Sequence, residues 1–184
     1  ALATTSLIEK GRKPIWPENG KNPGWSYVGN NWNQFCNGGM VAASVAIAEK
    51  DPELAAKTIQ SVLDGIPSAL ATYLPDGVYP EGSTYWVYGT GFSVITCAML
   101  ESAFGTDFGH IRHEDYNKSA ISRVLCNAPT WRYYNFDDCG DRKGKDDAVI
   151  LAWLSDKKGK KTCFEADRLI IRALLKYSLL GLWA

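Results

Sequence analysis

NQFCNGGMVAASVAIAEK, Asn33 to Lys50, followed directly by DPELAAKTIQSVLDGIPSALA, Asp51 to Ala71, reads as two helices joined by a tight turn. In the first half, Phe35, Met40, Val41, Ala43, Val45, Ala46 and Ile47 recur at helical rather than alternating spacing, which predicts a helix buried over a broad face. Asp51 then stands where a side-chain acceptor caps the next helix. Pro52 fits its first turn, where no intrahelical N–H is needed. The second helix is expected to run to about Ala71.

Downstream, Leu74-Pro75-Asp76-Gly77 is a turn, with proline fixing φ and glycine accepting a positive φ. A glycine-rich aromatic loop is expected to continue through Tyr88. From Phe92 to Phe104 helical spacing returns, and Gly105 is the natural C-cap. A polar connector with His110 and His113 follows, both read as surface histidines. Tyr116 to Cys126 fits a shorter helix broken at Asn127-Ala128-Pro129-Thr130. Trp131 to Phe136 reads as strand or extended loop. Asp147 to Ser155 and Phe164 to Leu182 form a last helical pair around the basic connector Asp156 to Lys161, which is read as a solvated turn. The plan is a single all-α domain over residues 1–184, built of antiparallel helical hairpins. Periodicity alone leaves bundle, solenoid and closed toroid open.

Composition narrows the function classes. Lys and Arg total 20 against 20 for Asp and Glu, so no net basic field draws in nucleic acid or a densely sulfated polyanion, and an acidic ligand has to be held locally. No apolar run approaches the ~20 residues of a bilayer span, so no membrane span is expected. Cys36, Cys97, Cys126, Cys139 and Cys163 are odd in number and widely spaced, without a C-x-x-C pair. They read mostly as buried thiols rather than a zinc site or a disulfide framework. His110 and His113 lack the acidic partner and spacing of a helical metal motif, so no metal residues are assigned. The opening Ala1-Leu2-Ala3 has neither an initiator Met nor signal-peptide order, from which a missing native start is expected.

Two segments resist explanation as packing. Gly29-Asn30-Asn31-Trp32-Asn33-Gln34-Phe35-Cys36-Asn37-Gly38-Gly39 holds four asparagines between Asn30 and Asn37, where a helix cap explains one. Asp76-Gly77-Val78-Tyr79-Pro80-Glu81-Gly82-Ser83-Thr84-Tyr85-Trp86-Val87-Tyr88-Gly89-Thr90-Gly91 is rich in phenols and glycines. Trp32 and Trp86 flank the polar positions and are candidates for stacking on pyranose faces, although a Trp in such a place is more often packed inside.

Asn-Asn-Trp-Asn opening an Ala-rich helix, followed by Asp-Gly-x-x-x-Glu-Gly-x-x-Tyr-Trp-x-Tyr, resembles the helical toroid domain of the heparinase II/III-like polysaccharide lyases. Oligoalginate lyases share related signatures. Tyr133-Tyr134-Asn135-Phe136-Asp137-Asp138-Cys139-Gly140-Asp141 resembles a further family segment, so the likeness covers most of residues 24 to 155. It implies part of an (α/α) toroid, without the family's C-terminal β-sheet domain, acting by β-elimination on a uronic-acid glycan in the periplasm or outside the cell. The implied partner is an acidic polysaccharide or oligosaccharide. No cofactor is assigned to this chain, and any structural metal belongs to the β-sheet domain.

The resemblance carries the role of carboxylate neutraliser to Asn31 and of acid/base to Tyr85, because the family's amide segment precedes its catalytic tyrosine by a similar separation. Asn30 and Asn33 are rivals for Asn31, and Tyr88 is the rival for Tyr85. Asn30, Asn33, Asn37, Trp32, Glu81, Trp86 and Tyr88 are the candidate substrate contacts. For Glu81, orienting a donor or contacting the sugar stands level with a simple loop hydrogen bond. Family members often place a histidine near the asparagine segment and take another from the β-sheet domain, and neither is evident here. That leaves two further readings: a non-catalytic glycan-binding module of the same fold, and a helical scaffold, which would leave the Asn and Tyr segments without a reason.

Overall fold

The computed structural model describes residues 24–112, 114–128, 130, 132–142 and 147–158. Its elements are all helical: α1 (Asn31–Ile47), α2 (Pro52–Leu70), α3 (Gly82–Phe104), α4 (Glu114–Leu125) and α5 (Asp147–Lys158), with short 3-10 turns at Gly24–Tyr27, Ala71–Tyr73 and His110–Arg112. Among the described residues there is no strand, only isolated bridges pairing Asn127 with Tyr133 and Arg132 with Arg142. The Trp131–Phe136 stretch is therefore extended loop over its described residues. The expected helix at Phe164–Leu182, together with Gly159 to Lys161, Cys163 and His113, lies outside the described residues.

Local chemistry sets the helix ends. Asn30 Oδ1 accepts from Trp32 N at 3.1 Å and opens α1. Asp51 Oδ1 accepts from Leu54 N at 3.1 Å with Pro52 in the first turn, as the sequence implies for α2. Gly105, at φ 73°, closes α3 in the left-handed conformation.

The loop expected through Tyr88 is a correction: it ends at Glu81, and Gly82 to Gly91 are the first turns of α3. Gly, Ser, Thr and Tyr alternate there without an apolar period, so the helix is invisible to a pattern search and is stabilised by packing on α1. By length and composition the 23-residue α3 is apolar enough to cross a membrane, with a mean hydropathy of 1.2 over its best window. Here it packs between α1 and α5.

The hairpin of α1 and α2 brings the end of α2 back to the start of α1. Contacts at rising positions show that α1 and α3 run parallel: Asn31 meets Glu81, Gln34 meets Ser93, and Gly38 faces Thr96. In turn α5 runs parallel to α3, with Ile150 against Gly91 and Lys157 on Glu101. α4 returns antiparallel to α3, since Tyr116 reaches Thr90 while Arg123 lies over Trp86. Three parallel helices in a row are thus joined by antiparallel returns.

Val41, Val62, Leu70, Tyr73, Trp86, Leu100, Tyr116 and Leu151 form the centre of the core. Each large apolar side chain buried there contributes roughly 1.5–3 kcal/mol. His110 corrects the expectation of a surface histidine: it is buried, in a recess with Gln34, Ser93, Cys97 and Tyr116. Of the four described cysteines, all free thiols, Cys97 and Cys139 are buried while Cys36 and Cys126 are half-buried.

Candidate functional site

Because α1 and α3 are parallel, their N-terminal ends lie side by side, and the two polar segments meet there. Asn31 Nδ2 donates to Glu81 Oε2 at 2.8 Å. The same oxygen accepts from the Tyr79 hydroxyl at 3.0 Å. Behind them, Gln34 Nε2 donates to the Tyr73 hydroxyl and to Ser93 Oγ, both at 2.9 Å, and the Tyr73 and Thr90 hydroxyls are 2.7 Å apart. Burial is the first cause raising the pKa of both Tyr73 and Tyr79 above the ordinary phenol value, with Glu81 nearby adding to it. Both phenols therefore stay protonated at neutral pH.

Tyr85, in the first turn of α3, is half-buried and packs against the core. Tyr88, 40% exposed, stacks on Phe35 with centroids 5.4 Å apart, and Phe92 closes the group edge-on at 4.6 Å from Phe35 and 5.2 Å from Tyr88. Desolvation is the main cause lifting the Tyr88 pKa, with Cys36 and Tyr85 adding to it. Trp32, near the start of α1, is 60% exposed. Asn31 and Glu81 are thus joined at the two helix ends, with Trp32 near the start of α1 and Tyr85 and Tyr88 in the first turns of α3.

Three candidate contacts belong to the interior instead. Asn33 is fully buried, and its Nδ2 donates to the Ser26 carbonyl at 3.1 Å and the Gly65 carbonyl at 3.0 Å. Asn37, also fully buried, donates to the Ser26 carbonyl at 3.2 Å and to Asn33 Oδ1 at 2.8 Å. These two amides tie the 3-10 turn at Gly24–Tyr27 to α1 and α2, so they leave the set of substrate contacts. Trp86 is 2% exposed, with the Arg123 guanidinium 5.8 Å from its ring centre, and has no face for a sugar. Asn30 is occupied as the α1 cap.

Gln34 and Tyr79 were not singled out from the sequence. The available signal for Gln34 is its place three residues after Asn31, on the same face of α1. For Tyr79 it is only membership of the glycine-rich segment. One recess is lined by Tyr79, Ser83, Trp86, Ser122 and Arg123, another by His110 and Gln34, and neither includes Asn31, Glu81 or Tyr85. Asn31 itself is 5% exposed, so its amide lies beneath the surface beside Glu81. Among the described residues no group of three His, Cys, Asp or Glu side chains converges as a metal site would need. No protein-family model matches the sequence, and no curated protein matches it.

Proposed function

We propose that this chain is the helical part of a polysaccharide lyase that cleaves a uronic-acid-containing glycan by β-elimination, with the row of parallel helices forming an arc of an (α/α) toroid. The observation that carries the reading is the Asn31–Glu81 hydrogen bond, which joins the amide segment to the phenol-bearing helix. The C5 proton of a uronate is weakly acidic, and its removal requires donors that stabilise charge building on the neighbouring carboxylate. Asn31 supplies an amide N–H without changing charge itself. Tyr85 is the phenol that transfers the proton, either to the departing glycosidic oxygen or from C5. Trp32, and the Tyr88 ring stacked on Phe35, offer aromatic surface to the sugar rings on either side.

A second reading has its own observation. The one described histidine, His110, sits in a recess that includes neither Asn31 nor Tyr85, so among the described residues no imidazole accompanies them. On that reading the chain binds acidic glycans without cleaving them. The two are separated by incubating the longest natural form of the protein with alginate, heparan sulfate and other uronate polysaccharides while following the ultraviolet absorbance of the unsaturated product. Product formation supports the lyase, binding without product supports the module, and neither leaves the helices a scaffold.

A further inference from the structure

We infer that Glu81 is a positioning residue for Asn31 rather than a substrate contact, and that Tyr79, donating its one hydroxyl proton to Glu81, holds it in that role. The catalytic consequence rests on the lyase reading, whereas the clamp itself rests on geometry alone.

A carboxamide has nearly the same shape when turned by half a rotation, which exchanges its donor and acceptor edges. Something has to break that symmetry if Asn31 is to present an N–H to a ligand. A carboxylate oxygen accepts, so Glu81 Oε2 at 2.8 Å fixes the amide with Nδ2 toward it. Turning the amide over would set its carbonyl oxygen against the carboxylate. Tyr79 donates to the same Glu81 oxygen at 3.0 Å.

The neighbouring Gln34 group has its direction set in the same way. Both donor bonds of the Gln34 amide are committed, to Tyr73 and to Ser93. Its Oε1 lies 3.5 Å from the Tyr79 hydroxyl, whose one proton goes to Glu81, so Gln34 packs beside Tyr79 rather than bonding to it. Tyr73, fully buried, is anchored in turn on Thr90. The Asn31 amide therefore has one orientation, and its second N–H is the donor that a ligand oxygen would meet. Such a site takes an acceptor such as a uronate carboxylate in preference to a donor group.

The test has two arms. In the isotope-labelled 184-residue chain, the side-chain amide pair of Asn31, assigned by its loss in Asn31→Asp, should be shifted from exposed-asparagine values. It should move toward them in Glu81→Ala, stay close to wild type in Glu81→Gln, which keeps an acceptor oxygen, and shift measurably in Tyr79→Phe although Tyr79 does not touch Asn31. Identical Asn31 resonances in wild type and Glu81→Ala would overturn the clamp. If Glu81→Ala does not fold, unmoved resonances in Tyr79→Phe overturn the role of Tyr79 instead.

In the longest natural form, Glu81→Ala should lower kcat on the order of 100-fold, the usual effect of misplacing a catalytic group by an ångström, with KM nearly unchanged and with most of the rate kept in Glu81→Gln. A rise in KM at constant kcat would make Glu81 a substrate contact and defeat the inference. If the wild-type protein yields no unsaturated product, the lyase reading falls, while the amide resonances still decide the clamp.

Discussion

The Gln34 carboxamide fills the space that a Cβ on residue 89 would take: a methyl built on Gly89 collides with Gln34 Oε1 and comes within 3.3 Å of Asn31 Cβ. The missing side chain at Gly89 is what lets α1 and α3 approach closely enough for the polar contacts to form between them. It also explains why a residue unfavourable to helices stands inside α3.

Gly89→Ala follows from that contact. Alanine gains about 1 kcal/mol in helix propensity, but overpacking costs roughly 1–3 kcal/mol because Gln34 has to leave Tyr73 and Ser93. A net loss of stability is expected in urea denaturation, with the m-value unchanged. A more stable variant would mean that the Gln34 side chain relocates freely.

Asn33→Ala should destabilise the fold more than loss of a surface amide. It leaves the buried Ser26 and Gly65 carbonyls each without one of their donors, at about 1–3 kcal/mol for a buried group left unsatisfied. Asn31→Ala removes one hydrogen bond, to Glu81, where Asn33 makes two, and should lower the melting temperature less. Equal shifts for the two variants would contradict the division between interior and site amides.

The catalytic pair separates in kinetics. Tyr85→Phe should abolish product formation yet preserve glycan binding, since the ring is retained and only the hydroxyl is lost. Asn31→Ala should reduce turnover by the equivalent of on the order of 3 kcal/mol, the typical effect of removing a transition-state donor. Normal rates in Tyr85→Phe together with none in Tyr88→Phe would move the phenol role to Tyr88.

Alkaline pH should weaken the fold in part through Cys97. Burial pushes its thiol up to about 12 from 9.0, with Asp107 and Glu101 adding to the effect and Lys157 opposing it. Between those values the unfolded chain releases the proton and the native one keeps it, so stability falls as pH rises, by up to about 1.4 kcal/mol per pH unit from this group. Below pH 9 the group makes no contribution to the slope. Cys97→Ala should be less stable at neutral pH but show a flatter decline from pH 9 upward in thermal melts; an unchanged slope would refute the assignment.

The all-helical character, the α1–α2 hairpin, the Asp51 and Pro52 start, and the Gly105 stop were legible in the sequence, because caps and apolar spacing act over a few residues of one chain segment. So was the existence of two unusual polar segments. What each amide in them does was not legible. Asn31 and Asn33 are chemically identical and two residues apart, yet one faces Glu81 at the helix ends and the other two backbone carbonyls in the core. Their partners lie up to 50 positions away, and local pattern carries no information about them. The start of α3 was hidden for the same reason, since Gly82 to Gly91 form helix through packing on α1. Trp86 and His110 were likewise decided by tertiary structure: whether an aromatic or imidazole ring meets solvent depends on what the neighbouring helices cover, and only the parallel docking of α1, α3 and α5 with their antiparallel returns determines that.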